Sequence, residues 1–296
     1  MAISAAEVKE LRELTGAGMM DCKKALTECD GDIKKAIDWL RENGLAKAAK
    51  KEGRIAAEGL SKILVEGNRA CIVEVNSETD FVAKNEKFLA LLDETLDILI
   101  KSDVKTAEEA LTLASAEGTL NDTFVNAVAT IGEKITLRRF ENVDKNDDEL
   151  FGTYTHQGGR ITSVVVMKGT DAQVAKNMAM QVASMNPTYV SRNDMPQEVI
   201  EHERSVQEGI VANDESLASK PDNVKAGIVE GRLSKSLQDM CLVDQEFFLD
   251  TDKKCGAYLK ENNCEVLRFV KYTVGEGIEK KEDDFAAEVA AIAQGK

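Results

Sequence analysis

The side chains through which this chain of 296 residues could do covalent or metal chemistry are two histidines, six cysteines and a surplus of carboxylates. His156 lies in Tyr154-Thr155-His156-Gln157-Gly158-Gly159-Arg160, a hairpin pattern in which it is either a turn residue bonded to the backbone or a catalytic base. His202 stands between Glu201 and Glu203 on a polar helical stretch, the setting of a solvated surface histidine. So few histidines exclude a His-rich metal site, and a Ser-His-Asp triad would need one of them. Cys22, Cys29, Cys71, Cys241, Cys255 and Cys264 form no Cys-x-x-Cys pair and read as reduced thiols. The chain has no Gly-x-x-x-x-Gly-Lys-Ser/Thr loop, no Gly-x-Gly-x-x-Gly after a strand and no His-Glu-x-x-His. Pairing any two of its 53 acidic residues as acid and base would be arbitrary. Covalent enzyme chemistry is therefore disfavoured, and neither a cofactor nor a metal ligand set is expected.

One polar junction stands out instead. The β-branched run Ala70-Cys71-Ile72-Val73-Glu74-Val75 reads as a strand. Phe88, Leu91, Leu92, Thr95, Leu96 and Leu99 follow at helical spacing. Between them lie Asn76, Ser77, Thr79 and Asp80, each able to cap a helix, and then Phe81. Phe81 is either a hydrophobic staple under the first helical turn or, with Asp80, an exposed wedge held out for a partner.

The elements around this junction read as an α+β chain. A formal charge of −15 argues against direct nucleic-acid binding, since phosphate contacts need clustered Lys and Arg, and favours protein partners. No window approaches the ~20 apolar residues that span a bilayer, and the acidic N-terminus resembles neither a secretory leader nor a transit peptide, so a cytoplasmic location is expected. Residues 1–54 read as a three-helix bundle and linker. Ser4 and Glu7 form a capping box, Asp32 caps the third helix, and Asn43-Gly44 ends it. Val8, Leu11 and Leu14, then Ile33, Ile37 and Leu40, form the stripes. Met19 and Met20 are core filler or an adaptable partner contact. Small bundles of this shape resemble ubiquitin-associated domains. Residues 55–143 form a first core unit: a hairpin turning at Gly67-Asn68, the helix after Asp80, a helical stretch over 107–133 and a strand from Ile135.

Residues 144–276 repeat the pattern, with a second hairpin, a helix and a closing strand around Val266–Thr273. Val82-Ala83-Lys84-Asn85 recurs as Val174-Ala175-Lys176-Asn177, each after an aspartate, with Ala172-Gln173 where the first copy has Phe81. An inserted helical hairpin is expected over about 190–237, between Pro196 and a turn at Lys220-Pro221. Residues 277–296 read as a C-terminal helix with Phe285, Val289 and Ile292 on one face, docked on its own core or on a partner.

The run Glu74-Val-Asn-Ser-Glu-Thr-Asp-Phe-Val-Ala-Lys-Asn85 resembles the signature of the elongation factor Ts family, the nucleotide exchange factors of elongation factor Tu. Thr15-Gly-Ala-Gly-Met-Met-Asp-Cys-Lys-Lys-Ala-Leu26, the Tyr154/His156/Arg160-Ile161 hairpin and the ending from Gly275 extend the likeness, which departs at Thr162-Ser163, where the family tends to carry glycine. The resemblance implies binding to elongation factor Tu and faster loss of GDP. It implies that Arg12, Met19, Met20 and Lys23 dock on the GTPase domain. Thr79, Asp80, Phe81 and Val82 would dislodge the partner's Mg²⁺. His156, Phe248 and Leu249 would hold another domain of the partner. The helical hairpin is associated with self-association or a further partner contact.

Overall fold

The computed structural model describes residues 3–116 and 118–279; the expected C-terminal helix lies outside them. The chain is mixed helix and sheet, an α+β fold, and packs into two compact units. One comprises the chain up to Leu64, Val73–Asn142 and the segment from Thr273; the other comprises Val65–Ile72 and Val143–Tyr272.

The first unit opens with α1 (Ala5–Thr15), α2 (Met19–Glu28) and α3 (Ile33–Lys51). The Ser4/Glu7 capping box forms, Gly16 closes α1 in the left-handed conformation, and Asp32 accepts the Lys35 N–H at the start of α3. Val8, Leu11, Cys22, Ala25, Leu26 and Ala36 make the bundle core. Leu14 is 62% exposed and Ile37 37%, contrary to the striping.

Asn43-Gly44 does not end α3. The Asn43 amide donates to the Trp39 carbonyl at 2.9 Å, one turn back, and the helix runs on to Lys51. Gly44 is the buried contact with α6 (Leu120–Ile131): a β-carbon there would lie 3.5 Å from Ala129 Cβ and 3.6 Å from Val125 Cγ1. Arg41 reinforces the packing, 2.8 Å from the Asp122 carboxylate.

Next come β1 (Glu58–Glu66) and β2 (Arg69–Ser77), joined at Gly67-Asn68 as expected, then α4 (Glu86–Leu99) and α5 (Ala107–Leu111). The helix expected over 107–133 is interrupted by a short ribbon of β3 (Ala114–Ser115) and β4 (Gly118–Thr119). Two capping boxes explain the break, Thr106 with Glu109 and Thr119 with Asp122, since each starts its own helix. β5 (Ile135–Asp144) closes a sheet ordered β1-β2-β5.

The second unit repeats this order. β6 (Glu149–His156) and β7 (Ile161–Lys168) form an antiparallel hairpin in register from Glu149↔Lys168 to His156↔Ile161. α7 (Ala172–Met185) lies against the hairpin so closely that a β-carbon on Gly152 would meet the Ala175 carbonyl oxygen at 2.0 Å. The buried Ser163 hydroxyl donates to the Ala179 carbonyl at 2.7 Å. α8 (Gln197–Ala212) and α9 (Asp222–Met240) pack as the expected helical hairpin, though Val206, Ile210 and Val224 remain outside its core. β8 (Glu246–Phe247), β9 (Asp250–Lys254) and α10 (Cys255–Glu261) lead to β10 (Glu265–Thr273), giving β10-β7-β6. In both sheets, then, the closing strand pairs with the second strand of the hairpin.

Candidate functional site

The first-unit junction departs from its repeat in a way that decides where Phe81 lies. In the second unit Asp171 caps α7 directly, accepting from the Gln173 and Val174 amides at 2.8 and 3.3 Å, so Val174-Ala175-Lys176-Asn177 is already helix. In the first unit the same tetrapeptide precedes the helix. Val82–Lys84 is a 3-10 turn, and Asn85 is the cap, accepting the Lys87 N–H at 2.9 Å. None of Asn76, Ser77, Thr79 and Asp80 caps α4. With Asn85 as cap, the staple position falls on Lys84 and Leu89, so Phe81 cannot fill it. Phe81 is 80% exposed, Asp80 is exposed beside it, and Val82 alone turns inward.

Side chains distant in sequence brace this loop. The Thr79 amide and hydroxyl donate to the two oxygens of Glu133, at 2.9 and 2.6 Å. The Ser77 hydroxyl donates to the Thr79 carbonyl at 2.9 Å. Glu78 accepts from the Lys134 amide at 2.6 Å and pairs with Arg54 at 3.2 Å. Beneath the loop, the fully buried Glu74 accepts from Arg138 at 2.9 Å, Arg139 at 2.6 Å, Asn76 at 3.1 Å and the Gly275 amide at 2.8 Å. Each carboxylate is thus matched by donors, the condition for holding charge away from water. No spacing rule pointed to Glu133, Glu78, Arg54 or Lys134; Gly132-Glu133-Lys134 reads as nothing more than a helix end.

Met19, Met20 and Lys23 share one exposed face at the start of α2, and Arg12 is exposed on the last turn of α1. Met19 is 60% exposed and Met20 74%, so the methionines are not core filler. Leu14 is an exposed apolar side chain that striping assigned to the interior. The Lys87 ammonium donates to the Gly16 carbonyl at 2.7 Å, which sets the α1–α2 loop against the first turn of α4. The bundle's apolar face and the Phe81 junction are therefore carried by touching elements of one unit.

The remaining candidates lie in the second unit. His156 ends β6, half-buried, with Nδ1 3.1 Å from the Tyr154 hydroxyl. Among the described residues no carboxylate is seen paired with it to activate it as a base. His202 is exposed on α8. Phe247 is buried and stacked on Tyr258 at 4.2 Å, while Phe248 is half-buried and Leu249 is 59% exposed at the β8–β9 turn. Buried Gln181 fixes that turn, accepting the Phe248 N–H at 2.9 Å and donating to the Glu246 carbonyl at 3.0 Å. All the cysteines are free thiols; burial pushes Cys71 and Cys255 up to about 12, far from the reactive thiolate. Among the described residues no cluster of three or more His, Cys, Asp or Glu side chains is placed to hold a metal, and no helix is long and apolar enough to cross a membrane.

Phe81 in the first unit and Leu249 in the second are each an exposed apolar side chain on a hydrogen-bonded turn, a form suited to docking. A family model described as elongation factor TS matches residues 78–276, a span that begins within the braced junction. The class is that of the translation elongation factors of protein biosynthesis. Elongation factor Ts of Acholeplasma laidlawii (strain PG-8A) is 52% identical over 292 residues, covering 98% of this chain and 99% of the relative. That of Oenococcus oeni (strain ATCC BAA-331 / PSU-1) is 50% identical over 288 residues, covering 97% of each. That of Limosilactobacillus reuteri (strain DSM 20016) is 48% identical over 287 residues, again covering 97% of each. The chain belongs to the elongation factor Ts family.

Proposed function

We propose that the protein is a guanine nucleotide exchange factor, without covalent chemistry of its own, for elongation factor Tu in the cytoplasm. It binds the GDP-bound GTPase and promotes GDP release by disturbing the partner's Mg²⁺ and phosphate site, so that GTP can bind. The observation that carries the reading is Phe81, an aromatic ring 80% exposed on a loop braced through the carboxylates of Glu78 and Glu133. Mg²⁺ bridges phosphate oxygens and neutralises their charge, so displacing it removes much of the nucleotide's hold. Burial of Phe81 in the partner supplies roughly 1.5–3 kcal/mol to offset that loss. Asp80 adds a negative charge beside the ion's surroundings, while Thr79 and Val82 anchor the tip. Residues 1–54 serve as the docking module on the GTPase domain, through Arg12, Met19, Met20 and Lys23. Residues 144–276 hold another domain of the partner through His156, Phe248 and Leu249. The apolar side chains left outside the helical hairpin core, Val206, Ile210 and Val224, support self-association there.

Stopped-flow release of fluorescent GDP from elongation factor Tu tests the reading. The parent protein accelerates release, and Asp80→Ala and Phe81→Ala proteins that still bind are slower. Binding without acceleration by the parent would leave a plain adaptor. Unchanged acceleration by Phe81→Ala would remove the wedge.

A further inference from the structure

The turn Gly132-Glu133-Lys134 between α6 and β5 touches two separate pieces of the first unit through three successive residues. The Gly132 carbonyl accepts from the Lys51 ammonium at the end of α3. Glu133 takes both donors of Thr79. The Lys134 amide donates to Glu78, and its ammonium donates to the carbonyls of Glu52 and Arg54, at 2.5 and 2.9 Å. Arg54 completes the ring by pairing with Glu78. One end of this network is the helix that carries the bundle; the other is the two residues that precede Asp80-Phe81.

We infer that Glu133 is a positioning residue for the Phe81 tip, and that the Gly132–Lys134 turn fixes the tip relative to the N-terminal bundle. The inference rests on the exchange reading for its consequence, not for its geometry. A wedge acts only where it is aimed. Phe81 makes no core contact of its own to fix its direction, being 80% exposed. The orientation must come from the backbone before it, and the strongest restraint there is the paired Thr79–Glu133 contact. A freely pivoting tip would still bury its ring on docking but would reach the working orientation in only a fraction of the complexes.

The test uses the full chain with Glu133→Ala, Glu133→Gln, Phe81→Ala and the Glu133→Ala/Phe81→Ala pair, read by GDP release, affinity for the partner and amide exchange. Glu133→Ala is expected to slow GDP release about tenfold, within the range that misplacement of a working group costs, while affinity for the partner stays within about threefold. Glu133→Gln, which keeps an acceptor for one Thr79 donor, falls between. In the Phe81→Ala background Glu133→Ala has no further effect, because a positioning residue has nothing left to position; a merely structural defect would add. The Thr79 amide and those of Asp80–Lys84 exchange faster in Glu133→Ala, with the other helices unchanged. Additive effects, or unaltered exchange of these amides, would overturn the inference. If the parent fails to release GDP, the exchange reading falls, and amide exchange alone decides whether Glu133 orders the loop.

Discussion

Glu74 and Phe81, seven positions apart in sequence, sit at opposite extremes of burial, and each has a definite consequence. Glu74 is fully buried between Arg138 and Arg139 and also accepts from Asn76 and Gly275. Removing the carboxylate takes the buried acceptor from Asn76 and the Gly275 amide, while the partly exposed Arg138 and Arg139 keep their bonds to Thr273 and Glu276, so Glu74→Ala is expected to cost about 1–3 kcal/mol in urea unfolding. A loss under about 1 kcal/mol would mean that water replaces the carboxylate, as at a surface pair. Phe81 touches no core, so Phe81→Ala should leave stability within about 0.5 kcal/mol of the parent while slowing GDP release. A marked fall in its melting temperature would show that the ring packs against its own chain.

At the scale of elements, glycines set how closely helices approach their neighbours. At Gly44 a methyl group would make ordinary contacts with Ala129 and Val125, so Gly44→Ala is expected to stabilise the protein by up to about 1 kcal/mol through helix propensity. At Gly152 the same methyl would fall on the Ala175 carbonyl oxygen, so Gly152→Ala must push α7 off the hairpin, costing about 1–3 kcal/mol or more. Opposite signs in parallel thermal melts are the expected outcome, and equal effects would contradict the packing. The α3–α6 junction also carries an acid switch. The Arg41 guanidinium first, then the Thr119 amide, holds the Asp122 carboxyl down at about 2, from an ordinary 3.8. A depressed carboxylate contributes stability above its unfolded value that is lost as pH falls through the folded one. The parent should therefore lose stability between pH 3.8 and about 2 more steeply than Asp122→Asn, as followed by circular dichroism. Parallel curves would show that Asp122 adds nothing to the acid transition.

For the whole molecule the expected behaviour is thermodynamic linkage. If binding of this protein weakens GDP on elongation factor Tu by some factor, GDP must weaken this protein by the same factor. Isothermal titration against the nucleotide-free and the GDP-bound GTPase should give an affinity ratio equal to the change in GDP affinity. A ratio near one would point to an adaptor. The net charge of −15 adds a long-range contribution to association, so the on-rate for a partner with a basic face should fall as salt rises, while release of GDP within the complex should not.

What the sequence by itself determined is local. Ser4 with Glu7, Asp32, Gly67-Asn68, Asp171 and Asn186-Pro187 each act on groups a few residues away, so their caps and turns are legible one stretch at a time. The duplicated order of hairpin, helix and closing strand followed from the same kind of signal. The tertiary structure alone decided which of several competent caps starts α4. Thr79 is taken up by Glu133 and Glu78 by Arg54 and Lys134, all remote in sequence, so the helix waits for Asn85 and Phe81 is left outside. It likewise decided that Leu14 and Ile37 face water and that α3 passes through Gly44, because burial depends on what α6 and α4 bring to the bundle. Capping is a bond between neighbours, whereas burial and buried ion pairs depend on groups that meet only when the chain has folded.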